Sequence, residues 1–395
     1  MTAITDLAGA DDYVLQEAIN MYADEAYTNA KKLVGTGIVG SNDKIDVNTE
    51  TFIGQIRWNK PLSPAINVAS LTDSTNGTKT SHSQEFLRYI KTVRTHGAEN
   101  VNMKAVVTQE DGLAKIGRDF AETRTQDEHN ALLAVLKGVA LSEALNGCAA
   151  GSSLTGLGGQ TFDNDPSDAR YGFYVDLGAN KPVVDATSAI QGAARAQAFL
   201  NAVGMAYKDY EPPYFYLITS PEVMASFRAA NLVDSDRVTD GMTEFNTIFQ
   251  GKFRLIQTRA NQGFSGAELI KLNTGAGIDI VGTKTSFIVL PGAVAMEALE
   301  VPLPTEIERD ASSYKGGGTT TVWYRWGYVL APAGYDWAGA EDDFPTDAEY
   351  RFAIEGATPK ALTAVSSGTL ASTQGTWTRK FSSALSLGIL PVFHN

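Results

Sequence analysis

The sequence predicts an α+β protein, and three stretches carry that prediction. Residues 117–146 place Leu132, Leu133, Leu136, Val139, Ala140 and Leu145 at helical spacing, with Asp119 and Glu122 near the start and Asn146-Gly147 as a stop. Residues 319–329 are mostly β-branched or aromatic, with Pro332 and Gly334 ending the run, which is the pattern of a buried strand. Between them, 214–258 interleaves strand and helix: Tyr214–Thr219 as a buried strand, a helix opened by Ser220-Pro221-Glu222, and Phe253–Thr258 as a further strand.

The remaining elements follow in chain order. Residues 11–34 read as an amphipathic helix through Val14, Leu15, Ala18, Ile19, Tyr22 and Ala26, with no obvious partner in its own sequence neighbourhood. Phe52–Asn67 is β-prone, Asn76-Gly77 favours a tight turn, and Phe86–Val93 reads as the return strand of a long hairpin. A helix over 117–146 would run for roughly 45 Å and serve as a spine. Glycine-rich 151–160 reads as a connector, and 187–207 as a second, alanine-rich helix. Strands are expected at 269–272, 278–281 and 287–290, and 293–304 leads back to the aromatic strand. The last fifty residues are rich in Ser, Thr, Ala and Gly, yet Trp377, Phe381, Leu385, Leu387, Ile389 and Phe393 point to an ordered tail without a function of its own.

Composition narrows the function classes. A chain of 395 residues with 43% hydrophobic content can build more than one core. Its 32 basic and 45 acidic residues leave a net charge of −13, which argues against gripping nucleic acid by broad phosphate neutralisation, although an acidic wall can still enclose DNA. Cys148 is the single cysteine, so an intrachain disulfide and a thiolate zinc site are both excluded. The N-terminal MTAITDLAGADD lacks the basic start and apolar core of an export signal, and 287–304 is cut by Pro291, Glu297 and Glu300 before it reaches spanning length, so no membrane association is expected.

Motifs that suggest enzyme chemistry fail on context. Gly35-Thr36-Gly37-Ile38-Val39-Gly40 has dinucleotide-binding spacing, but a predicted helix precedes it and SNDKID follows where a helix should begin. Ser312-Ser313-Tyr314-Lys315 has the acylating spacing, but three glycines follow at once and the companion motifs are missing, so a solvated turn is expected. The histidines, His82, His96, His129 and His394, show no i, i+4 pairing. Asp127-Glu128-His129 reads as a solvated face of the spine helix, and Glu341-Asp342-Asp343 as a surface charge run. No catalytic, cofactor-binding or metal residue is assigned, and no cofactor is expected.

The basic residues Arg57, Lys60, Lys79, Arg88, Lys91 and Arg94 concentrate on the predicted hairpin. They suit either pairing with acidic surfaces of neighbouring subunits or a nucleic-acid grip with Trp58 as a stacking platform. The first is preferred because stacking sites need several spaced aromatics. Arg325 sits between Trp323 and Trp326, where it could stack on a ring or pair with Glu308 or Asp310.

The order Glu308-Arg309-Asp310, the glycines 316–318, the aromatic strand with Arg325, Gly327 and Tyr328, and the ending Pro332-x-Gly334-Tyr335-x-Trp337 together resemble the closing segment of tailed-bacteriophage major capsid proteins. That family has the Hong Kong 97-type shell fold. The resemblance implies an N-terminal arm (1–50), an extended hairpin loop (51–95), a peripheral domain with its spine helix (96–187), an axial α/β domain (188–290), closing peripheral strands (291–345) and a C-terminal tail (346–395). It implies a structural protein that self-assembles through hexamers and pentamers into an icosahedral head enclosing double-stranded DNA without sequence-specific binding. Portal, scaffolding and decoration proteins are the implied partners, the host cytoplasm the place of assembly and the virion capsid the destination. Candidate assembly residues are Arg57, Trp58, Lys60, Arg88, Lys91, Leu136, Arg325 and Trp326. Two alternatives stand beside this one: an encapsulin-like cellular nanocompartment with the same shell fold, and a soluble α/β enzyme with a site at the strand ends of 188–290, where no convergent polar set can be named.

Overall fold

A computed structural model describes residues 37–40, 45, 51–59, 84–101, 112–148, 175–176, 213–234, 238–240, 243–257, 284–339, 343–351, 377–380 and 387–394. The expected helices at 11–34 and 187–207, the connector at 151–160, the strands at 269–272 and 278–281 and the Asn76-Gly77 turn lie outside them.

Two sheets and one long helix organise these residues. The first sheet contains β1 (Val39–Gly40), β2 (Ile53–Asn59), β3 (Gln84–Val101), β10 (Val294–Leu299), β11 (Thr305–Asp310) and β12 (Thr319–Pro332), in the order β1-β10-β12-β3-β2 with β11 also on β12. The second contains β4 (Val175–Asp176), β5 (Phe215–Thr219), β6 (Val238–Asp240), β7 (Thr243–Ile248), β8 (Phe253–Gln257), β9 (Lys284–Val289) and β15 (Ile389–His394), in the order β4-β15-β9-β5-β8-β7-β6. A short ladder joins β13 (Tyr335–Trp337) to β14 (Trp377–Arg379). The helices are α1 (Gly112–Cys148), α2 (Pro221–Ala229) and α3 (Asp347–Arg351).

The aromatic run is the central strand of the first sheet. From Thr319 to Val329 one edge of β12 pairs with β3. The other edge pairs with β11 over Thr319–Tyr324 and with β10 over Gly327–Pro332. Arg325 bridges the gap between those partners by donating its backbone N–H to the Pro304 carbonyl at 2.7 Å. Strand alternation then sorts the side chains: Val322, Tyr324, Trp326 and Tyr328 are buried on one face, while Trp323 and Arg325 project from the other. The charged strand β11, with glutamates 306 and 308 exposed, guards the open edge against adventitious pairing.

The spine helix α1 spans 37 residues, about 55 Å, longer at both ends than the sequence pattern indicates. Its expected apolar stripe is only part of the burial: every residue from Ala131 to Leu136 is buried, so the helix is enclosed on all sides there. The enclosure comes from α3 and β14, which close over it where Gly138 leaves room; a Cβ at that position would lie 2.2 Å from the Tyr350 carbonyl oxygen. Trp337, Tyr350 and Trp377 form a buried aromatic cluster there, with ring centroids 5.2 Å apart for the two tryptophans.

In the second sheet, β5 is buried along its whole length, as the apolar run Phe215–Thr219 requires when both faces are covered. The Ser220 carbonyl accepts the Met224 backbone N–H at 3.2 Å at the start of α2. This sheet draws strands from beyond 188–290: β4 comes from 175–176 and β15 from 389–394, the latter antiparallel to β9 from Ile389 opposite Val289 to His394 opposite Lys284. The C-terminal residues are therefore not a separate tail. Apolar Ile389, Leu390 and Val392 are buried in this sheet, and Trp377 is buried against the spine helix.

Candidate assembly surface

The face of β12 turned toward the spine helix carries a polar junction. Asp127, on the middle of α1, accepts the Trp326 indole N–H at 3.0 Å and the Tyr328 hydroxyl at 3.0 Å through the same carboxylate oxygen. Its other oxygen lies 3.4 Å from Arg94 Nε on β3, and Arg94 reaches on to Asp347 of α3 at 3.1 Å. The Tyr350 hydroxyl is hydrogen-bonded to Thr92. Next to Asp127, Arg124 pairs with the buried Glu128 at 3.0 Å and donates to the Tyr324 hydroxyl at 3.2 Å. One carboxylate thus joins the spine helix, the hairpin strand, the aromatic strand and, through Arg94, the C-terminal helix.

This overturns the expectation that Asp127-Glu128-His129 is a solvated face. Asp127 and Glu128 are turned into the junction because buried indole and phenol groups need acceptors. Those rings were the available signal: a tryptophan and a tyrosine two residues apart on a buried strand face call for an acceptor opposite. Trp326, read as an assembly residue, is likewise interior at 5% exposure and serves this junction instead. Leu136, also read as an assembly residue, is fully buried in the same core cluster as Trp326.

Burial raises the Tyr328 phenol well above its ordinary range, and the neighbouring Asp127 charge adds to the effect; Tyr350 is raised chiefly by burial. Burial works against the Arg94 charge, but Tyr328, Asp127 and Asp347 outweigh it and its pKa is raised. For a phenol held neutral by the fold, stability is complete below the ordinary tyrosine pKa of about 10 and is lost as pH rises above it, because only the unfolded chain then releases the proton. Both tyrosines together should remove up to about 2.7 kcal/mol per pH unit above about pH 10. Denaturant titrations across that range should show the steepening, and Tyr328→Phe should reduce the slope.

The opposite face of the sheet is the exposed one. Arg325 pairs with Glu306 at 2.6 Å and donates to the Leu303 carbonyl at 3.2 Å. The expected partners Glu308 and Asp310 are corrected to Glu306 because the register sets Glu306 opposite Trp323, diagonal to Arg325 on the same face. Glu308 accepts the Trp323 indole N–H at 3.4 Å instead, and Asp310 accepts from Ser312, whose hydroxyl and backbone N–H lower the Asp310 pKa. The Ser312–Lys315 segment is a turn with Tyr314 and Lys315 in left-handed backbone, so no helical serine–lysine pair forms. Val39-Gly40 is likewise a strand parallel to β10, so the last two positions of the glycine pattern lie in a β ladder where the dinucleotide motif has helix.

On the hairpin, β3 is one continuous strand of 18 residues that changes partner midway. Lys91–Val101 pairs with β12, whereas Gln84–Ile90 pairs with β2. Exposed Arg57 faces the exposed Phe86 ring at 5.4 Å, its cross-strand neighbour. Arg88 is otherwise engaged: its backbone N–H and Nε meet the two oxygens of the buried Asp336 at 2.5 and 3.2 Å, and Lys380 approaches that carboxylate at 3.6 Å. The expectation that Arg88 serves a neighbouring subunit is corrected, since an interior carboxylate of its own chain claims it. Lys91 is half-buried opposite Val329. Lys60 and the Trp58 side chain lie outside the described residues. Arg88→Ala should therefore cost the subunit about 1–2 kcal/mol in chemical unfolding, discounted for the partial exposure of the arginine. Arg57→Ala should leave that midpoint unchanged.

Among the described residues no group of His, Cys, Asp and Glu is arranged to hold a metal ion, and no helix is long and apolar enough to cross a membrane. No protein-family model and no curated protein matches the chain. Solved structures similar to it include phage capsids and a phage head. The capsid of Ralstonia phage GP4 is 15% identical with a TM-score of 0.47, covering 77% of this chain and 87% of that one. The head structure of Helicobacter pylori bacteriophage KHP40 is 10% identical with a TM-score of 0.42, covering 91% and 89%. The mature capsid of bacteriophage PhiM1 is 11% identical with a TM-score of 0.41, covering 73% and 81%.

Proposed function

We propose that this chain is a major capsid protein of the Hong Kong 97 type, a structural subunit and not an enzyme, that assembles with copies of itself into a phage head shell around double-stranded DNA. The observation that carries the proposal is the path of β3. Lys91–Val101 of this strand belongs to the plate formed with β12, and Gln84–Ile90 runs on past it to pair with β2, leaving Phe86 exposed beside Arg57. The base of this hairpin is held by its own subunit through Ile56, Leu87, Tyr89 and the Arg88–Asp336 pair, while the exposed Phe86 and Arg57 suit overlap with a neighbour. The closing segment whose residues resemble those of capsid proteins supports the same reading, since it forms the central strand of that plate on the spine helix.

In this reading the plate and spine are the rigid body, the second sheet faces the ring centre, and portal, scaffolding and decoration proteins meet the assembled surface in the host cytoplasm. Many modest contacts act together because each contact within a shell raises the effective concentration for the next. Arg57 and Lys60 on the hairpin are the proposed contacts to acidic surfaces of neighbours, which the net charge of −13 makes abundant. Purified protein, alone or with a scaffold, should form rings or closed shells in electron micrographs, and Arg57→Ala should weaken them. A monodisperse monomer that turns over a small substrate would overturn the proposal.

A further inference from the structure

The chain passes from the second sheet to the first at Leu290–Ala293, between β9 and β10, and returns to the second through Leu387-Gly388 into β15. These two crossings touch. The Leu290 backbone N–H donates to the Gly388 carbonyl at 2.8 Å, and a Cβ on Gly388 would lie 2.5 Å from Ala293 Cβ and 2.9 Å from its Cα. Two further segments close around the same turn. Gly292 N–H donates to the Gly37 carbonyl at 2.8 Å, and Ala333 N–H donates to the Ala293 carbonyl at 2.8 Å. Gly40 packs so tightly on Gly292 that a Cβ there would be 3.1 Å from the Gly292 Cα. Ile38, Ala293, Leu387 and Gly388 are buried on the inner side of the contact, while Pro291 and Gly292 at the tip of the turn are exposed.

We propose that this four-segment joint fixes the angle between the two sheets and, resting on the shell reading above, thereby sets the curvature of the assembled shell. An ordinary two-strand linker would leave neighbouring sheets free to rock. Here four backbone segments meet at van der Waals distance around one turn, and close-packed contacts have discrete arrangements, not a continuum. A methyl group at Gly388 cannot be accommodated without moving the β9–β10 turn relative to β15. That displacement is transmitted along both strands into their sheets.

The test uses the full chain with Cys148→Ser and spin labels at Arg228→Cys on α2 and Thr95→Cys on β3 of the first sheet, both exposed positions. Gly388→Ala should shift the peak of the label-to-label distance distribution relative to the parent, with circular dichroism unchanged, and its assemblies should differ from the parent's in diameter or remain open. An unmoved distance peak in folded protein overturns the joint. A shifted peak with shells of parental diameter overturns the link to curvature. A parent that makes no shells overturns the shell reading and the curvature claim with it, while the distances still decide whether the joint fixes the angle. Should Gly388→Ala fail to fold, Gly40→Ala makes the same measurement with a milder intrusion.

Discussion

Leu136→Asp is expected to abolish recovery of soluble folded protein. Leu136 lies in the fully enclosed stretch of the spine helix, with no exposure, and belongs to the core cluster that also contains Trp326, Trp377 and Leu390. The substitution forfeits about 1.5–3 kcal/mol of side-chain burial and places a carboxylate where the surrounding residues are apolar, at a further cost of several kcal/mol. Such a sum approaches the whole stability of an ordinary domain. Expression with fractionation and circular dichroism should show the variant insoluble or unfolded. Leu136→Met, which conserves volume, should stay folded with a loss below about 1.5 kcal/mol. A folded, assembling Leu136→Asp protein would mean that the helix turns a different face inward.

Much of this architecture was legible because period and composition report burial. The spine helix, the aromatic strand and the hairpin return strand announce themselves through apolar or β-prone side chains at helix or strand spacing, and Phe215–Thr219 through a short apolar run bounded by turn signals. What escaped was long-range pairing. Nothing local to Ile389–His394 says that it will lie between β4 and β9, or that Trp377–Arg379 will pair with Tyr335–Trp337, because ladder partners are chosen by register across hundreds of residues. Charged residues were the least readable. Asp127 and Glu128 carry the same pattern as a solvated helix face, and only the facing Trp326, Tyr328 and Tyr324 distinguish a buried junction from a wet one. Arg88 and Arg57 look alike in sequence, two residues of one hairpin, yet Asp336 takes the first and leaves the second on the surface.

Asp127→Ala should have the second-largest effect, because three groups from two strands lose their acceptor at once. The Trp326 indole N–H and the Tyr328 hydroxyl, each 3.0 Å from one carboxylate oxygen, are left without that partner, and Arg94 keeps only Asp347 of its two carboxylates. Each lost bond to a charged acceptor is worth about 1.5–3 kcal/mol, but Asp127 and Arg94 are both 19% exposed, so water recovers part of the loss. A net destabilisation of about 3 kcal/mol in chemical unfolding is the expected result. Asp127→Asn keeps a carbonyl acceptor for the ring donors while removing the charge that Arg94 meets, so it should recover roughly half of that loss. Combining Asp127→Ala with Tyr328→Phe should give a coupling energy of at least about 0.5 kcal/mol, since the two residues share a hydrogen bond. Strict additivity would place the Tyr328 hydroxyl outside the junction. Because the same carboxylate joins the spine helix to the strand that carries the projecting hairpin, Asp127→Ala should also weaken assembly in proportion to its loss of stability. Arg57→Ala, by contrast, should weaken assembly at unchanged stability. The separation of those two variants on a plot of assembly yield against unfolding midpoint distinguishes a framework residue from a contact residue.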